Sequence, residues 1–145
     1  MRILGIDYGT KVTGLAITDY NQLIISPLKN IKTSSMVELV NQLKKVVDYY
    51  GNELQTIVLG YPTLLNGNAN QTTLNVQALY DLLVKTFSSL KIELVNEQFT
   101  TYIATEDLYE AGLSHDQVRK NKDQVSACLI IQSYLQQQQK KSMSK

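Results

Sequence analysis

The sequence predicts one α/β domain: a five-stranded mixed sheet, built from a three-strand antiparallel meander plus two parallel strands and flanked by helices. Three observations predict it. Three apolar segments separated by short turns come first. Two further apolar runs follow, each preceded by an amphipathic helical pattern, which is the alternation that builds parallel pairs. The 145 residues, 43% of them hydrophobic, are the size of one ordinary domain with a real core.

Each element has its own local reason. "RILGID" (Arg2–Asp7) reads as a buried strand. "VTGLAITD" (12–19) follows after a Gly-containing turn, so the two form a hairpin. In that hairpin Gly9 is expected to turn the chain with positive φ, and Gly14 to admit the close approach of another backbone or a ligand. "NQLIISPLKNI" (21–31) reads as an edge strand, because Pro27 has no N–H to give to a ladder. Ser35 and Glu38 form a capping box, and Met36, Val40, Leu43, Val47 and Tyr50 then recur at helical spacing. "TIVLG" (56–60) is the short continuous apolar run of a central parallel strand. A loop rich in Gly, Asn and Pro leads to a helix with Val76, Leu79, Leu83 and Phe87 on one face. "KIELVNE" (91–97) is the fifth strand. "TTYIATEDLYEAG" reads as a helix stopped by Gly112, and the last helix runs from about residue 122 into the glutamines. The domain is expected to span 1–138, with 139–145 as a flexible tail.

Composition narrows the setting. The net charge is +1, so no overall field marks a nucleic-acid binder, although the segment from His115 to Lys145 alone carries +4. Cys128, the single cysteine, sits in "ACLII" and reads as a buried structural thiol, which suits a reducing compartment. There is no apolar run near the roughly 20 residues that span a bilayer and no secretory leader pattern. The expectation is a cytoplasmic protein with no membrane partner.

Three acidic residues stand where a fold could gather them. Asp7 ends the first strand, Glu97 ends the fifth, and Asp123 opens the last helix. Each has an ordinary alternative: a polar strand end, a solvated surface group, a carboxylate favoured by a helix N-terminus. Gathered, they would repel one another unless one held a proton or a hard divalent cation lay among them. Ser126, Ala127 and Ile130 lie three, four and seven residues after Asp123, and the two small ones would let that helix approach the sheet. "DYGTKVTG" is also close to the phosphate-gripping hairpin of the sugar-kinase, actin and chaperone ATPases. Those enzymes close two such domains on ATP, and this chain is too short for the pair.

Four segments in order carry a family resemblance over about residues 2–135. They are "DYGTKVTGLA" against D-x-G-x-K-R-x-G-x-A, "GYP" followed by "NG", "NEQFTT" against D-E-R-x-T-T, and "DQVSACLIIQSYL" against D-x-x-A-A-x-x-I-L-x-x-Y-L. The chain resembles the YqgF/RuvX family, a compact branch of the ribonuclease H-like nucleases. The resemblance implies a ribonuclease H-like fold, with Asp7, Glu97 and Asp123 as metal-binding catalytic carboxylates for Mg²⁺ or Mn²⁺, two ions with substrate bound. It implies phosphodiester hydrolysis in 5′-end maturation of pre-16S rRNA, with precursor rRNA and the small-subunit precursor as partners. Branched DNA, as for a Holliday junction resolvase, is the alternative substrate, and a binding module with little catalysis is the second alternative.

Where relatives carry arginines, this chain has Val12, Gln77 (the usual residue there being basic) and Gln98, and Asn96 replaces an aspartate. Lysine and glutamine do not replace arginine's bidentate fork. Lys11, Arg119, Lys120 and Lys122 are the remaining candidates for substrate phosphates. Thr100 and Thr101 match the family's paired threonines. Tyr8 and Tyr61 are expected to pack on the core, and His115 to be a surface loop residue. No long apolar stripe marks an interface, so a monomer or weak homodimer is expected.

Overall fold

The computed structural model describes residues 1–61, 71–96 and 115–143, with the side chains of 1–61, 71–96 and 124–141. The helix expected from "TTYIATEDLYEAG" lies outside the described residues. Five strands form one sheet: β1 (Arg2–Asp7), β2 (Val12–Thr18), β3 (Ile25–Lys32), β4 (Leu54–Tyr61) and β5 (Lys91–Asn96), in the order β3-β2-β1-β4-β5. β1, β2 and β3 pair antiparallel, while β4 runs parallel to both β1 and β5. This is the mixed sheet that the sequence predicts. Pro27 sits in β3 at the sheet edge, opposite Ala16 and beside a register shift.

Helix α1 (Met36–Tyr50) starts at Ser35, whose hydroxyl accepts from the Glu38 N–H at 3.1 Å. It stops at Gly51, which takes a φ of 56° and leads into a 3₁₀ turn over Gly51–Glu53. Helix α2 spans Gln71–Thr86, and helix α3 spans His115–Met143. α3 therefore starts well before residue 122 and includes His115, which was expected in a loop. Its helical run also continues through the lysines at 140 and 141. Residues 115–122 are polar apart from Val118, so no apolar stripe marks that part of the helix in the sequence.

The sheet has helices on both faces. On one face Leu4, Ile6, Leu15, Ile57 and Leu59 pack with α1 and α2 residues including Leu39, Leu43, Val76, Leu79 and Leu83. The apolar positions read from the α2 pattern are all buried, Phe87 just past the helix end among them. On the other face Ile3, Ala16, Val58 and Val95 pack with Ala127, Ile130, Ile131 and Tyr134 of α3. Tyr8 and Tyr61 are partly buried against the first cluster, as expected of core-packing rings.

Candidate active site

The site is built on β1, the middle strand, which is paired on both sides. Ile3 faces α3 and a side chain at Gly5 would run into α3, so alternation along the strand puts Asp7 on the same face. Asp7 is half-buried at the point where the buried run ends. Its cross-strand partner is Gly14, so no side chain stands beside it on β2. β1, β4 and β5 run parallel and end within one residue of one another, at Asp7, Tyr61 and Asn96. Residue 97 is the next in the chain after that last position.

The turn leaving Asp7 is held from within. The Thr13 hydroxyl lies 3.4 Å from both the N–H and the carbonyl of Gly9, accepting from one and donating to the other. A Cβ at Gly9 would collide with the Val12 carbonyl oxygen. Gly9 is thus required by close contact, and its φ is not in the left-handed region, which corrects the reason read from the sequence. Lys11 is exposed on this turn, and its carbonyl accepts from the Thr33 N–H at 3.3 Å.

Helix α3 crosses this face antiparallel to β1. Ile3 shares a hollow with Tyr134 and Leu135, near the helix's carboxyl half. Two residues on, a Cβ at Gly5 would lie 2.8 Å from the Ala127 carbonyl oxygen and 2.5 Å from Ile131 Cγ1. Moving along β1 toward Asp7 therefore moves along α3 toward its N-terminus. Ser126, Ala127 and Ile130 are fully buried, as the expected packing stripe requires. The Ser126 hydroxyl has no hydrogen-bond partner among the described residues.

The sequence-derived site residues divide accordingly. Asp7 and Lys11 are placed to the side chain. Arg119, Lys120, Lys122 and Asp123 lie in the N-terminal part of α3, where the backbone alone is described. Glu97, Thr100 and Thr101 lie outside the described residues, as does Gln98. Among the described residues no three acidic, histidine or cysteine side chains gather into a metal-holding group, and of the three predicted carboxylates Asp7 is the one whose side chain is described. Val12 opens β2, and exposed Gln77 donates from Nε2 to Asp81 Oδ1 at 3.2 Å. Cys128 is half-buried, and burial pushes its thiol up to about 11, so it is protonated and unreactive at neutral pH. The sequence reading passed over Gly5 and Thr13. A glycine inside the strand "RILGID" was the available signal for the first, since mid-strand glycines mark close backbone approach. No helix among the described residues is long and apolar enough to cross a membrane.

Comparison with known proteins agrees with this frame. Residues 1–137 match the RuvX family, described as Holliday junction resolvase. A protein of Ureaplasma parvum serovar 3, provisionally named a pre-16S rRNA nuclease, is 36% identical over 141 residues, covering 93% of this chain and 96% of its own. A Bacteroides thetaiotaomicron protein of the same provisional name is 34% identical over 139 residues, with 93% and 96% covered. Among solved structures, Thermus thermophilus RuvC in complex with a Holliday junction substrate superposes with a TM-score of 0.60 at 14% identity, over 94% of this chain and 96% of that one. The fowlpox virus Holliday junction resolvase gives 0.59 at 15% identity, over 94% and 99%. These likenesses show the ribonuclease H-like fold.

Proposed function

The chain belongs to the RuvX family, and from that premise we propose a divalent-metal-dependent nuclease that hydrolyses phosphodiester bonds in the 5′-end maturation of pre-16S rRNA. The observation that carries the substrate is the identity, near full length, to relatives bearing that name. The partners are precursor rRNA and, through it, the small-subunit precursor. The protein acts in the cytoplasm as a monomer or weak homodimer.

Asp7, Glu97 and Asp123 are the carboxylates that hold Mg²⁺ or Mn²⁺. The donor chemistry fits, since hard cations take oxygen ligands. Three features of the fold support the set. Asp7 ends the strand paired on both sides. β5 ends one residue past its level, at Asn96, immediately before Glu97 in the chain. Third, Gly5 to Asp7 advances about 6.6 Å along β1, and four helical residues advance about 6 Å, so the turn of α3 opposite Asp7 is the one around residue 123. When bound, the metal supplies Lewis acidity and an ionised water at neutral pH. The chain's own residues do the rest. Asp7 contributes fixed negative charge on a strand that cannot shift. Gly14 leaves room beside it for a sugar–phosphate backbone. Lys11, with Arg119, Lys120 and Lys122, contacts substrate phosphates, and Thr100 and Thr101 join them in binding the nucleic acid.

The test is cleavage of a pre-rRNA leader by purified protein with Mg²⁺ or Mn²⁺. Asp7→Asn is expected to lower the rate on the order of 10³-fold, about 4 kcal/mol in barrier. Unchanged cleavage by that variant overturns the site. A second reading, branched DNA as substrate, is favoured by the family's description and by the resolvase superpositions. A four-way junction tested beside the leader decides between them.

A further inference from the structure

At the far end of α1 from Asp7 stands an exposed tyrosine with no role in the core. Tyr49 is 83% exposed, while its neighbours Val46 and Tyr50 are buried or partly buried. The ring presents a large apolar face with a polar tip to solvent. The ring is also braced. Tyr50 forms a T-shaped pair with it, with centroids 5.0 Å apart and planes at 90°. The Arg2 guanidinium lies 5.1 Å from the Tyr50 centroid, donates to the Thr18 carbonyl at 2.9 Å, and sits 3.7 Å from Glu53. Tyr49 is therefore held beside an anchored neighbour while most of its surface stays open to solvent.

The hollow beside it, about 380 Å³, is lined by Leu28 and Lys29 of β3 and by Lys45, Val46, Tyr49 and Tyr50 of α1. That lining holds two ammonium groups and no carboxylate. An exposed aromatic face flanked by lysines is the combination that unpaired polynucleotide takes: the base stacks on the ring and its phosphates meet the cations. Lys29 and Lys45 match the charge of a nucleic-acid backbone, whereas an apolar protein surface would leave both unpaired.

We propose that Tyr49, with Lys29 and Lys45, is an accessory site that stacks an unpaired nucleotide of the substrate strand away from the bond being cut. The proposal rests on the nuclease reading above for the identity of the strand. α1 runs from the Asp7 end of the sheet, where Ser35 and Met36 share a hollow with Tyr8, Gly9 and Thr10, to the Arg2 end. Its 15 residues span about 22 Å, so the accessory site holds a flanking segment and not the scissile phosphate. Such a contact would supply phosphate and base affinity on a chain that has Val12, Gln77 and Gln98 where relatives carry cations.

The experiment is fluorescence anisotropy of a labelled unpaired RNA with the full chain in EDTA, where binding is read without cleavage. Tyr49→Ala is expected to weaken binding about tenfold, and Tyr49→Phe to stay within about twofold of the parent. Lys29→Gln with Lys45→Gln is expected to lower the salt slope by about 1.4, from roughly 0.7 per phosphate contact. An oligonucleotide with abasic positions is expected to erase the difference between Tyr49→Ala and the parent, which a merely structural role would not do. Equal affinity of Tyr49→Ala and parent overturns the proposal, as does absence of RNA binding by the parent. A changed sedimentation coefficient for Tyr49→Ala at unchanged RNA affinity overturns it in favour of a protein interface. Loss of cleavage in Asp7→Asn is read separately, so either idea fails without the other.

Discussion

The two faces of the sheet are packed by opposite means. Toward α1 and α2 the strands present large aliphatic side chains, and the helices answer with more of them. Toward α3 the strands present Gly5, Gly14, Ala16 and Gly60 among a few larger residues, and the helix answers with Ser126 and Ala127 beside Ile130, Ile131 and Tyr134. Large side chains bury more area and separate the layers. Small ones bury little and let backbones meet, to the point that Gly5 has no room for a methyl group. The first face supplies most of the apolar burial that opposes chain entropy. The second fixes the distance of α3 from β1, and Asp7 lies on that side. Stability and site geometry are thus carried by different faces of one sheet.

The largest effect that tests this contrast belongs to the aliphatic face. Leu79 is fully buried between α2 and the sheet. Leu79→Ala removes its transfer free energy and leaves a cavity, so unfolding in urea should show a loss of about 3 kcal/mol. Cleavage per folded molecule, measured well below the melting temperature, should stay within about twofold. A fall in turnover beyond the folded fraction would break the division of labour.

Gly5→Ala is the complementary change on the other face. The added methyl meets the Ala127 carbonyl oxygen, which is backbone and moves only with the helix, as well as the Ile131 side chain. Overpacking of this kind costs about 1–3 kcal/mol. The larger consequence is for the site, because α3 must retreat from the strand that carries Asp7. A displacement of about 1 Å at reacting groups lowers rate on the order of 10²-fold. Turnover should therefore fall by far more than the unfolded fraction explains. If Gly5→Ala cleaves at the parental rate, the small-residue face does not set the site.

The same contrast explains what the sequence disclosed. The aliphatic face was legible because its residues repeat: Val76, Leu79 and Leu83 at helical spacing, and Ile57 to Leu59 as a continuous run. The order of strand types followed from the turns and the intervening helices. The small-residue face was half legible. Ser126 and Ala127 announced a close approach to the sheet, but not its partner, Gly5, whose missing side chain the helix fills. Periodicity marks what is large and apolar, and it is silent about contacts made by absence. It was silent too over residues 115–122, where polar side chains give a helix no stripe. Asp7 was legible as a carboxylate ending an apolar strand. The gathering with Glu97 and Asp123 that we propose joins chain segments far apart in sequence, which spacing alone does not relate.

The smallest effect concerns Cys128, on the α3 side. Burial raises its thiol from 9.0 to about 11. The folded state therefore keeps the proton that an unfolded chain would release first. That contribution to stability is fully present below pH 9, and it is lost as pH rises through 11. The group is partly exposed, so water screens the effect and its share of the total is small. Reactivity gives the sharper readout. At pH 8 the thiolate fraction in the folded protein should be on the order of a hundredfold below that of the urea-unfolded chain. Iodoacetamide labelling, followed by mass spectrometry, should slow in that proportion. Gly5→Ala, by lifting α3 from the sheet, should partly restore the labelling rate, while Leu79→Ala on the opposite face should leave it unchanged. Equal labelling rates in the two variants would mean that a change on one face is felt equally on the other.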